Sequence, residues 1–125
     1  MMEDWKTHPD CPADGTWLCQ LGDIPDDGGF EVCFGSGREA FRVLLLRQED
    51  EIWAYTNNCP HFSLPLNFKP QTFLVMDSMI VCAHHTAFFR FEDGLCTEGP
   101  CLGMKLTALP CYCVDEDVFF GSAPD

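Results

Sequence analysis

Two short segments constrain this chain more than anything else in it: Cys59-Pro60-His61 and Cys82-Ala83-His84-His85, with twenty residues between His61 and Cys82. Each offers a thiol and at least one imidazole, side chains that bind metals through soft sulfur and neutral nitrogen. For them to act together, the fold must bring two loops distant in sequence face to face and hold them there. Pro60 fixes its own backbone dihedral and stiffens the first loop. Met79-Ile80-Val81-Cys82 reads as a short strand that leads straight into the second.

The rest of the chain supplies strands to carry such loops. Trp17 to Leu21 reads as a first short strand, followed by the turn-rich Asp26-Asp27-Gly28-Gly29 and then by Phe30 to Phe34. Phe41 to Leu46 is a buried-strand candidate, paired through the charged turn Gln48 to Glu51 with Ile52 to Thr56. Phe88 to Phe91 and Leu95-Cys96 flank Glu92-Asp93-Gly94, a second hairpin signal. Pro110 to Val114 and Val118 to Phe120 flank the acidic turn Asp115-Glu116-Asp117. Nowhere does a helical period persist for the roughly 10 residues that distinguish a helix. The pattern predicts an all-β fold, a small antiparallel sandwich or barrel, whose ligand loops close the hairpin ends of one sub-sheet. Residues 1–15, broken by Pro9, Pro12 and Gly15, read as a loose arm, and 16–125 as a single domain.

Charge and cysteine content narrow the function. The 125 residues are 46% apolar, enough for one core. Against 7 basic residues stand 20 acidic ones, a net charge of -13. Such a surface repels nucleic acid and anionic membranes and complements a protein partner with a basic docking face. No run approaches the roughly 20 apolar residues of a membrane span. Met1-Met2-Glu3-Asp4-Trp5-Lys6 has neither a basic nor an apolar leader region, which places the expectation in the cytoplasm. Nine cysteines, an odd number, in an unexported chain fit thiols and metal ligands better than a disulfide scaffold.

At the level of motifs the chain resembles the Rieske [2Fe–2S] ferredoxins. Their pattern, Cys-x-His, a spacer, then Cys-x-x-His-Gly-x-x-Phe, has its counterpart here. Cys59-Pro60-His61 is followed by Leu64-Pro65-Leu66-Asn67, and Cys82-Ala83-His84-His85 by Thr86-Ala87-Phe88-Phe89. Asp93-Gly94-Leu95-Cys96 and Gly99-Pro100-Cys101-Leu102-Gly103 resemble the closing segment, a Gly-Pro loop that in this family covers the cluster. The likeness is strongest from Trp53 to Pro110, and the cluster-binding part spans about 57–104. Two departures stand out: the spacer is longer than usual, and Thr86 occupies a turn position where Gly, tolerant of positive φ, is customary.

The resemblance implies a [2Fe–2S] cluster with Cys59 and Cys82 on one iron and His61 and His85 on the other. The Cys-x-x-His spacing selects His85 and leaves His84 as its neighbour. Two imidazoles in place of two thiolates leave the oxidised site neutral where four thiolates would leave it dianionic. Reduction is then easier, at about −150 to +300 mV against roughly −400 mV for all-cysteine clusters. The second nitrogen of each ligand imidazole can lose a proton, so the potential should fall as pH rises. Respiratory members of the family add a disulfide between the loops and hydroxyls bonded to the cluster. The corresponding positions here are Leu64 and His84, and Ala87 and Phe89, which implies a low-potential, ferredoxin-type site.

The implied function is a one-electron carrier, not an enzyme alone, passing electrons from a reductase, a flavoprotein, to a terminal oxygenase or other redox enzyme. In the family the His-ligated iron lies nearest the surface, which makes His61 and His85 the electron port. Two alternatives stand beside it: a small Rieske subunit of a larger oxidoreductase, and a zinc-binding or redox-sensing interaction module. Zinc sites commonly pair Cys with Cys and His with His, whereas each loop here mixes them. With His8 and His84 alone remaining, a 2-His-1-carboxylate iron site has to lie in another chain. Cys96, Cys101, Cys111 and Cys113 are read as packed, with a second metal site as the alternative. Cys11, Cys19 and Cys33 are read as structural, His8 as solvated, and Trp17, Trp53, Phe88, Phe89 and Phe91 mainly as core.

Overall fold

The strand signals are realised as three antiparallel sheets around one central strand. The computed structural model describes residues 4–37, 40–60, 65–67, 69, 71–83 and 86–123. Its strands are β1 (Trp17–Gln20), β2 (Gly28–Phe34), β3 (Phe41–Gln48), β4 (Glu51–Thr56), β5 (Leu74–Met76), β6 (Met79–Cys82), β7 (Ala87–Arg90), β8 (Cys96–Glu98), β9 (Ala108–Leu109), β10 (Cys111–Val114) and β11 (Asp117–Phe120). They form the sheets β1-β11-β10, β2-β3-β4-β9 and β5-β6-β7-β8. No helix among the described residues is long and apolar enough to cross a membrane.

The apolar run of β3 explains the layering. Alternate side chains of a strand point to opposite faces, yet Val43, Leu44, Leu45 and Leu46 are all fully buried. Leu44 and Leu46 join Tyr55, Ile80, Phe89 and Phe91 in one core, on the side of the β5-β8 sheet. Val43 and Leu45 join Leu18, Val118 and Phe120 in a second, on the side of the terminal sheet. The central sheet is therefore covered on both faces. Each such side chain contributes about 1.5–3 kcal/mol on burial.

Acidic residues make the tight turns. Gln48 pairs with Glu51, leaving Glu49 and Asp50 as the β3-β4 turn. Glu49 has φ 56, and its N–H donates to the Asp26 carboxylate at 2.7 Å. Asp115 (φ 49) and Glu116 (φ 72) turn β10 into β11, the left-handed pair that a two-residue hairpin requires.

Several expectations change. The stretch from residue 4 to 15 is docked, because it carries apolar groups as well as breakers. Asp4–Thr7 forms a 3-10 turn, Trp5 meets Phe120 edge-on at 5.8 Å, and the Gly15 N–H donates to Phe120 O at 2.7 Å. His8, read as solvated, packs edge-on against Phe41 at 5.3 Å, and its Nδ1 accepts the Asp10 N–H at 3.0 Å. Trp17, read as core, is 52% exposed and donates from Nε1 to Asp117 at 3.0 Å. Cys113, read as packed, is exposed on β10. Strands β5 and β9 fall where no strand was expected.

Candidate metal centre

The first ligand loop leaves β4 at Thr56. Its backbone is tied down at once: Asn57 N–H donates to Arg42 O at 3.0 Å and Asn58 N–H to Thr56 O at 2.8 Å. Two residues on, Cys59 is fully buried. The second loop closes the β6-β7 hairpin, where Cys82 pairs with Ala87 and both are fully buried. Thr86 N–H donates back to Cys82 O at 2.9 Å, with Thr86 at φ 55. The turn does demand the left-handed region, and a β-branched residue occupies it where glycine would be strain-free. Cys59 and Cys82 join the same core cluster, so the fold buries both thiols in one interior, out of water.

His61, His84, His85 and Leu64 lie outside the described residues. The two positions that the resemblance associates with hydroxyl donors hold Ala87 and Phe89, both fully buried.

A third segment lies across the two loops. Gly99 has φ 104, and a Cβ there would stand 2.8 Å from Ala87 Cα and 2.9 Å from Thr86 O. Glycine is needed on both counts, its conformation and its contact with the second loop. Two residues further, Cys101 Sγ lies 3.6 Å from Cys59 Sγ, in contact with the first. Met104 N–H to Cys101 O at 2.8 Å and Gly103 N–H to Cys96 O at 3.1 Å fold this segment back onto β8. Cys96 Sγ donates to Glu98 O at 3.2 Å. Burial raises its thiol pKa, and nearby backbone groups, that of Glu98 first, partly offset the rise.

Behind both loops runs a buried polar strut that the sequence reading missed. Asn57, 2% exposed, donates from Nδ2 to Glu31 Oε2 at 2.5 Å and to Asn67 Oδ1 at 2.8 Å. Its Oδ1 accepts Leu66 N–H at 2.8 Å, and Leu66 O accepts Ala83 N–H at 2.8 Å. Glu31, 6% exposed, also receives Arg42 Nη1 at 3.2 Å. Gln71 brackets it, accepting Glu31 N–H at 2.8 Å and donating to Glu31 O at 2.6 Å. The strut thus joins β2 and β3 to the residues flanking Cys59 and to the residue after Cys82. One signal for it stands in the sequence: an acid, Glu31, inside the apolar run from Phe30 to Phe34.

Two of the remaining cysteines lie in or against the terminal core. Cys19 is buried in the terminal core, and burial, then Asp23 nearby, pushes its thiol up to about 12. Burial likewise pushes Cys111 up to about 11. Among the described residues no group of three or more His, Cys, Asp or Glu is placed to hold a metal ion. The alternative of a second site at Cys96, Cys101, Cys111 and Cys113 is therefore not realised.

These features define a class: a small antiparallel β domain with two thiol-bearing loops meeting beneath a glycine-cornered segment. A family model described as the Rieske [2Fe–2S] domain matches residues 15–113. The chain belongs to that family, whose cofactor is the [2Fe–2S] cluster. Two buried thiols presented by separate loops are a donor set that fits its thiolate-bound iron.

Among solved structures the chain is similar to the ferredoxin of carbazole 1,9a-dioxygenase from Nocardioides aromaticivorans IC177. The TM-score is 0.66 at 18% identity, over 89% of this chain and 100% of that one. The Sphingomonas yanoikuyae B1 ferredoxin gives 0.66 at 20% identity, over 89% and 100%. The terminal oxygenase of carbazole 1,9a-dioxygenase from Novosphingobium sp. KA1 gives 0.70 at 16% identity, over 99% of this chain and 34% of that one. At these identities the likeness is one of fold. No curated protein matches the chain significantly.

Proposed function

We propose that this chain is a one-electron carrier of the ferredoxin type, holding its cluster through Cys59 and Cys82 on one iron and His61 and His85 on the other. The observation that carries the reading is the burial of two thiols from separate loops in one core, with the segment from Gly99 to Cys101 in contact with both loops. The cluster, when bound, supplies one reversible electron. The chain's own residues do the rest. Cys59 and Cys82 present sulfur from inside the core, where water does not compete. The Asn57 strut fixes the two loops to each other, and the Gly99 segment shields them. The two histidines owe their roles to the spacing of the family motif.

The donor is a flavoprotein reductase and the acceptor a terminal oxygenase, working in the cytoplasm. Supporting this, the similar Nocardioides protein is a whole chain of about this length and is the ferredoxin of a dioxygenase system. The net charge of -13 suits partners with basic docking faces. With Ala87 and Phe89 contributing no hydroxyl, the site belongs at the low end of the Rieske range. A second reading, a subunit of a larger oxidoreductase, is favoured by the same fold forming about a third of an oxygenase chain.

The test is EPR of anaerobically purified protein, before and after dithionite. A rhombic signal that appears on reduction, with an average g below that of all-cysteine clusters, is expected. It should vanish in His61→Ala and His85→Ala and persist in His84→Ala. Absence of iron, sulfide and signal after reconstitution would sink the reading. Gel filtration of native extract separates the two modes: a free small protein is a shuttle, and co-elution with a large partner is a subunit.

A further inference from the structure

We propose that Cys101 is a positioning residue for the metal centre, its thiol donating an S–H hydrogen bond to the sulfur of Cys59. This rests on Cys59 being a ligand, as argued above, and goes beyond the ligand set itself.

Three observations carry it. The two sulfurs lie 3.6 Å apart, within the reach of a sulfur hydrogen bond, and both side chains are fully buried. The direction of donation follows from chemistry: a sulfur bound to iron is a thiolate without a proton, so the proton between the pair belongs to Cys101. The contact is also held on purpose-built backbone. Gly99 packs against Thr86 and Ala87, and Cys101 O receives Met104 N–H at 2.8 Å. The next residue, Leu102, is 68% exposed, so the segment turns its thiol inward and its larger apolar side chain outward.

The consequence is electronic. A donor on a ligand sulfur withdraws charge from it and stabilises the reduced, more negative state. The positions that would bring hydroxyls are Ala87 and Phe89, so Cys101 is a donor arriving from a different segment. Because an ionised acceptor strengthens such a bond, the effect is larger than for a neutral thiol pair.

The experiment is a redox titration of reconstituted wild type, Cys101→Ser and Cys101→Val, followed by visible and EPR spectra. Valine matches the thiol in size and removes the donor; serine keeps one. The expected result is a more negative midpoint in C101V, with reduction about tenfold less favourable, equivalent to about 59 mV for one electron. C101S should stay nearer wild type. An unchanged midpoint and unchanged spectrum in C101V overturn the proposal. Should C101V not retain its cluster, the infrared S–H stretch of loaded wild type decides, assigned by its loss in C101S. A band shifted below that of the exposed Cys113 thiol supports donation, and a band at the same position overturns it. Cys59→Ala separates the two levels of failure. If it still assembles the native cluster, the ligand reading is wrong; if it does not and C101V is silent, only the role of Cys101 falls.

Discussion

Replacing Asn57 with alanine should damage the candidate centre without touching a ligand. The side chain makes three buried hydrogen bonds, to Glu31, Asn67 and Leu66. Its loss orphans the N–H of Leu66, a residue 1% exposed, at about 1–3 kcal/mol. It also strips a donor from the buried Glu31 carboxylate, a charge-assisted bond of about 1.5–3 kcal/mol. Arg42 still reaches that carboxylate at 3.2 Å, which limits the loss. The sum is about 3–5 kcal/mol, a large part of the roughly 5–15 kcal/mol that holds a domain folded. At this size it corresponds to a drop of about 12–20 °C in Tm. Urea and thermal unfolding of Asn57→Ala, together with its rate of cluster loss, check the number. Asn58→Ala, at the adjacent exposed position, should stay within about 0.5 kcal/mol. A cost below about 1 kcal/mol for Asn57→Ala, or equal costs at the two positions, would refute the strut.

Other expectations are simpler. Gly99→Ala forces a Cβ against Ala87 Cα and Thr86 O at φ 104, and should cost about 2–4 kcal/mol and shorten cluster lifetime in air; an unchanged lifetime would show that the segment does not shield the site. Asp93 is held at about 2 by the Arg90 guanidinium first and by Leu95 N–H second, below the ordinary 3.8. Its depressed pKa gives a contribution complete above about pH 4 and lost as pH falls towards 2, so unfolding followed by circular dichroism should lose that slope in Asp93→Asn. With a net charge of -13, association with a basic reductase should weaken steeply with added salt, and a salt-independent rate of electron transfer would argue against charge-guided docking.

What could be read beforehand depended on how local its cause was. The run from Phe41 to Leu46 announces a buried strand, and the hairpins at Glu49 and Asp115 follow from short apolar runs flanking charged turns. Strand β5 was invisible because it is three residues long and only Val75 packs inward, while Leu74 is 51% and Met76 58% exposed. Strand β9 is two residues long and ends at Pro110. Cys59 and Cys82 were legible because spacing identifies them. Asn57 was not, since 26 residues separate it from Glu31 and nothing local announces their hydrogen bond. Trp5 and His8 were misread for a similar reason: Pro9 and Pro12 forbid regular structure without forbidding packing on Phe120 and Phe41.

The double-sided burial of β3 has a consequence for how the molecule comes apart. Neither core can keep its packing if this strand leaves, so the two halves have no means of melting separately. A shift of one residue along its partners would exchange the occupants of both interiors at once, which leaves a single pairing open to it. Damage far from the two loops, such as a shortened side chain at Val43, would therefore register as loss of the family's iron–sulfur cluster. Colour, in such a protein, reports the integrity of the whole chain.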